Sequence, residues 1–187
     1  MQIDDNWNVV IPVTDSVRVF HAPISKAVFE ANFRILSSTK SDLFGHGNQY
    51  AFLSGIHVAT LTLKDIGKRM AAERAEDGDG GAQALLNELQ RSSTVLAPTT
   101  EGYDILPLPA AFSQGLIDHE DWVDVENQLT FFTCAVSLTP RRTRRAAAQA
   151  LADVLEFSLT SSNCEEYARG LTTSVKAETP APSLVPT

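Results

Sequence analysis

The stretch DHEDWVDVENQLTFF, Asp118 to Phe132, places five carboxylates, one histidine and one tryptophan in its first nine residues and then turns apolar. Two readings compete: a cluster of acid, base or metal-binding groups, or the acidic start of a buried helix. Asp118 suits an N-cap, and Asp121 stands at the capping-box position, where Glu or Gln is the usual partner. Acids in a first turn are favoured by the helix dipole. On a 3.6-residue period Trp122, Val125, Leu129, Phe132 and Val136 share one face, while Glu120, Asp121, Asp124 and Gln128 fall elsewhere. Only Glu126 flanks the apolar stripe. A metal site needs convergent ligands, but His119 and Asp124 are five residues apart and there is no HExxH. The stretch therefore reads as the capped start of a helix that runs to Leu138 and is stopped by Pro140.

Working outward, the chain remains mostly helical. Upstream, GAQALLNELQRSSTVLAP predicts a helix burying Leu85, Leu86, Leu89 and Val95, ended by Pro98. A longer helix is expected over Phe52–Ala75, with Val58, Leu61, Ile66 and Met70 on one face. Ser25 can cap another, with Val28 or Phe29, then Asn32/Phe33, then Leu36 as its stripe. Glu101-Gly102 reads as a turn, and a short helix is expected around Ala110–Gln114. Downstream, RRTRRAAAQALADVLEFSLTSS reads as one further helix, and NCEEYARGL as a last turn.

The exception is the start. WNVVIPVTDSVRVFHAP sets two β-rich runs, Asn8–Val13 and Val17–His21, around Thr14-Asp15-Ser16, which indicates a hairpin. Pro12 lacks an amide donor, so its strand is expected at an edge. Val9, Ile11, Val17 and Val19 then become candidate protein-binding residues. The expected fold is mainly α: a β-hairpin over residues 1–22, a helical domain over 23–172 and a disordered proline-rich tail over 173–187.

The chain has 187 residues, 43% of them hydrophobic, which is enough for a real core. Its net charge of -8 argues against nucleic acid or an anionic membrane as partner. No apolar run is long enough to span a bilayer, and MQIDDNWN lacks the features of a secretory signal. The two cysteines, Cys134 and Cys164, form no zinc or disulfide framework. His21, His46, His57 and His119 show no ligand spacing, GHGNQ lacks a phosphate-loop pattern, and EDGDGG lacks the EF-hand spacing. No nucleophile context such as GxSxG occurs. No cofactor or metal is expected, and the chain is read as no enzyme. TPRRTRR is the sharpest charge feature: Arg141, Arg142, Arg144 and Arg145 are four of fifteen basic residues. Cations in a first helical turn oppose the dipole unless paired. They read as a solvated face or a contact for an acidic protein, and Trp122 joins the candidate binding residues.

Several segments together resemble tail assembly chaperones of long-tailed (siphovirus-type) bacteriophages: VIPV…VRVFHAPISKAVFEANFRILSSTKSDLF, VATLTLKDIGKRM, LLNELQRSSTVLAP…GYDILPL and LIDHEDWVDVENQLTFFTCAVSL, over about residues 8 to 140, with TPAPSLVPT as the tail. RRTRR and the helix after it match no part of the pattern. The resemblance implies a mostly helical protein of the infected host's cytoplasm, absent from the finished virion. It would bind the tape measure protein, keep it soluble and recruit the major tail protein, with self-association possible. Many members of that group are also made in a second, longer form by ribosomal frameshifting. The rival readings are a structural protein of the phage tail or neck, and a small hydrolase or metal enzyme using the His119 region.

Overall fold

The computed structural model describes residues 7–45, 49–75 and 77–178, with side chains at all of these except 49–53 and 175–178. Their order is β1 (Asn8–Pro12), β2 (Arg18–His21), α1 (Lys26–Phe44), α2 (Gln49–Glu73), α3 (Ala82–Arg91), β3 (Ser93–Pro98), β4 (Tyr103–Pro107), α4 (Leu108–Ser113), α5 (His119–Ser137), α6 (Arg141–Leu155), β5 (Ser158–Thr160) and α7 (Cys164–Glu178). The five strands form one antiparallel sheet in the order β4-β3-β2-β1-β5.

Strand side chains alternate between two faces. Val9, Ile11, Val19 and Val95 point into the main core with residues of α1, α2, α3, α5 and α6. Val10, Phe20 and Leu96 point the other way, against Ala168, Tyr167 and Leu171 of α7. The Phe20 and Tyr167 rings lie 6.0 Å apart. The sheet is thus covered on both faces, mainly by helices.

At the start of α5 the capping box closes fully. Asp118 accepts from the Asp121 amide at 2.8 Å, and Asp121 accepts from the Asp118 amide at 3.1 Å. Trp122, Val125, Leu129, Phe132 and Val136 are all buried, as the period predicts. The burial extends further than one stripe: every residue from Leu129 to Val136 is buried. Glu126 also has a physical account. Burial pushes its acid up from the usual range, opposed in part by Lys64, by the Trp122 indole one turn away and by His119. Asn127 ties α5 to α2, its side-chain oxygen accepting from the Thr60 amide at 2.9 Å.

Several expectations are corrected. The helix expected over GAQALLNELQRSSTVLAP stops at Arg91, and residues 93–98 form β3; Val95 is buried, but as a strand residue. Ser158–Thr160 forms β5 inside the segment expected to be one helix, after α6 ends at Glu156 in the left-handed conformation. On α2, Ile66 is buried and Met70 half-buried, but Val58 and Leu61 are exposed; the inward face runs through Ile56, Ala59, Leu63 and Ile66. Gly67 sits where the loop crosses this helix, and a β-carbon there would run into the Asp79 carbonyl. Residues 173–178 belong to α7 rather than to a tail, and the rest of the expected tail lies outside the described residues, as does His46.

The hairpin forms, but not at an edge. β1 lies between β2 and β5, and its side chains share the core with the helices, so residues 8–21 are no separate unit. Ladder parity explains the proline. The Val13 amide bonds the Val17 carbonyl at 2.9 Å, so bonded and non-bonded pairs alternate from there and Pro12 faces away from β2. On that other side β5 pairs only Asn8, Val9 and Val10. Pro12 sits just past the end of β5, where no strand requires its missing N–H.

Candidate protein-binding site

One cavity of about 430 Å³ opens where the start of β1 and the end of β2 meet α1, α5 and α6. Trp7, Val9, Phe29, Phe132 and Val136 supply apolar wall. Local sequence shapes its mouth. Ser25 caps α1 by accepting from the Val28 amide at 3.2 Å. Ile24 and Phe29 therefore occupy the two positions of a hydrophobic staple, and both line the cavity. Phe132 is held by an edge-on contact with Phe157, with ring centroids 5.4 Å apart.

Two basic side chains line it, Lys26 and Arg144. Lys26 is exposed and pairs with Glu30 at 3.5 Å, an exposed contact worth little by itself. Arg144 is half-buried. Its guanidinium donates to the Thr139 carbonyl at 3.2 Å from two nitrogens and to the Ser137 carbonyl at 3.5 Å. These carbonyls lie at and just past the C-terminus of α5, where acceptors lack helical partners and the dipole is negative. Lys40 adds a bond to the Ala135 carbonyl at 2.9 Å. A cation at the start of α6 is thus compensated by the end of α5.

His21 forms part of the inner wall and is buried. The Ser93 hydroxyl donates to the Leu89 carbonyl at 2.8 Å, so it accepts from His21 Nδ1 at 2.9 Å. The proton then belongs on Nδ1. Among the described residues Nε2 is buried without a hydrogen-bond partner. Burial pushes the imidazole down to about 4, with the Leu89 carbonyl opposing in part. The ring is neutral at neutral pH, so the inner wall is uncharged and positive charge is confined to Lys26 and Arg144.

Of the residues expected to bind a partner, Val9 and Arg144 meet at this cavity. Ile11, Val17 and Val19 are buried in the main core and present no surface. Trp122 is likewise core, packed edge-on against Phe112 at 6.4 Å. Arg141, Arg142 and Arg145 are exposed on the first turns of α6. Sequence reasoning missed Trp7, His21 and Phe29 as wall residues. The staple spacing of Ile24 and Phe29 was the one local signal for any of them.

Cys134 is deeply buried, and its thiol is pushed up to about 12 by burial, with Lys40 opposing. No group of three or more His, Cys, Asp or Glu side chains gathers into a metal-binding cluster among the described residues, and no helix there is long and apolar enough to cross a membrane. Comparison with protein families, with curated proteins and with solved structures returned no match.

Proposed function

We propose that the chain is a non-enzymatic bacteriophage tail assembly chaperone, which binds and solubilises the tape measure protein and recruits the major tail protein in the host cytoplasm. The observation that carries the binding role is the apolar cavity, rimmed by Lys26, its partner Glu30 and Arg144. Its volume of about 430 Å³ lies in the range of pockets that enclose a small ligand or a large side chain. An apolar anchor from a helical client fills it, while Lys26 and Arg144 meet acidic residues flanking that anchor. A second feature supports the reading: Val58 and Leu61, one turn apart on α2, are 42% and 66% exposed, an apolar stripe suited to a client helix. The ordered resemblance over about residues 8 to 140 supplies the identity of the client.

Co-expression with the tape measure protein of the same phage tests this. The expected result is a soluble complex, weakened about tenfold or more by Ile24→Asp, which puts a charge in the cavity mouth. An insoluble tape measure protein with no complex contradicts the reading. So does finding many copies per purified virion by mass spectrometry, which favours a structural tail or neck component.

A further inference from the structure

Ladder parity also decides which backbone groups of the outer strand β4 are engaged. At the tip of the β3–β4 hairpin, Thr99 and Gly102 exchange amide-to-carbonyl bonds of 2.7 and 3.4 Å. Bonded and non-bonded pairs alternate inward from there. Pro98 and Tyr103 are then a non-bonded pair, Ala97 and Asp104 bonded, Leu96 and Ile105 non-bonded, Val95 and Leu106 bonded, and Thr94 and Pro107 non-bonded. The far side of β3 gives the same phase: the Ala22 amide bonds the Ser92 carbonyl at 3.0 Å, so Ser92, Thr94 and Leu96 turn toward β2. Both prolines fall at non-bonded positions, where the absent N–H leaves the β3–β4 ladder intact.

The N–H and C=O groups of Tyr103 and Ile105 therefore point away from β3. Among the described residues no strand lies on that side, and none of these four groups takes part in another backbone bond. Ile105 is 38% exposed. Asp104 between them is exposed and makes no ion pair or side-chain hydrogen bond among the described residues. The edge is a two-residue clamp with four backbone groups and one carboxylate at its centre.

Charge selects what fits it. A second copy could satisfy all four groups only by pairing Tyr103 with Ile105 of the other copy, which sets Asp104 directly opposite Asp104. Like charges directly opposite each other destabilise a strand pair, and a net charge of -8 on each copy adds repulsion. The chain's own segment 179–187, TPAPSLVPT, has three prolines and no cation. We propose that the β4 edge is a binding site for a short extended segment of another protein, paired antiparallel with Tyr103 and Ile105 and presenting Lys or Arg opposite Asp104. This is strand addition, in which main-chain bonds give attachment and one cross-strand charge pair gives selectivity. No β4 residue lines the cavity described above, so the two surfaces can fail independently.

Two synthetic peptides test it, Thr-Val-Lys-Val-Thr and Thr-Val-Glu-Val-Thr, each capped at both ends and added at millimolar concentration to the full chain. The readouts are amide shifts and hydrogen exchange at each β4 position. The lysine peptide is expected to protect the Tyr103 and Ile105 amides and to bind about three- to tenfold more tightly than the glutamate peptide. Asp104→Lys should invert that preference without altering the fold. Absence of protection at Tyr103 and Ile105 overturns the proposal, as does a peptide preference unmoved by Asp104→Lys. Protection of both amides before peptide is added overturns it too: loss on dilution assigns the edge to a second copy, and loss on deleting residues 179–187 assigns it to the chain's own end.

Discussion

The two β-hairpins make opposite use of similar sequence. β1 and β4 are five residues long, and each ends in a proline. β1 is buried along its first four residues and has neighbours on both sides. β4 has no buried residue and ends the sheet. A proline at a strand end marks a local gap in pairing whether or not the strand lies at an edge. Pro12 fills a gap past the end of β5, and Pro107 fills a non-bonded position opposite β3. Which hairpin is interior is decided by distant segments: β3, more than seventy residues beyond β2, covers one side, and β5 the other.

The largest expected effect separates the two strands by stability. Ile11→Ala removes a fully buried side chain from the core and should cost about 2–5 kcal/mol in chemical denaturation. A loss within a few tenths would place β1 at the surface and erase the distinction. Acid should act on the same hairpin. His21 has a folded pKa of about 4, below its unfolded value of 6.5. The unfolded chain then binds the extra proton, so His21 lowers stability as pH falls from about 6.5 toward 4, by up to about 3 kcal/mol in all. Glu126, shifted upward by burial, works in the opposite direction. Comparing unfolding near neutral pH and near pH 4.5 for the native chain and His21→Gln isolates the histidine, and the variant should show the shallower acid loss.

The outer hairpin should respond less, and at its tip rather than along its strand. Gly102 has φ near +152°, and an added β-carbon would meet Thr172 of α7. Gly102→Ala should cost about 1–3 kcal/mol, read from the same denaturation curves. Ile105→Ala should change stability by less than about 0.5 kcal/mol. A larger loss there would show that the β4 edge is covered.

Legibility followed the same division. Local signals were readable: the hairpin from VVIPV and VRVF around a polar turn, the α5 cap from Asp118 and Asp121, the buried α5 face from its period. Signals that depend on distant pairing were not. Ser93–Pro98 continues a leucine-rich helix in sequence, and only the ladder with β2 makes it a strand. Val58 and Leu61 offered a second apolar stripe on α2, and period alone does not choose between stripes. The cavity draws its wall from residues between Trp7 and Arg144, so no window contains it. His21 looked like an isolated histidine because Ser93, which orients it, lies seventy-two residues away.

Residue-resolved native-state hydrogen exchange tests the interior-versus-edge assignment most directly. The expected pattern is slow exchange at Val9, Val10 and Ile11, and alternation along β4, with Asp104 and Leu106 slow and Tyr103 and Ile105 fast. Uniformly slow exchange along β4, or fast exchange at Val9 and Ile11, would contradict an interior first hairpin and an open outer strand.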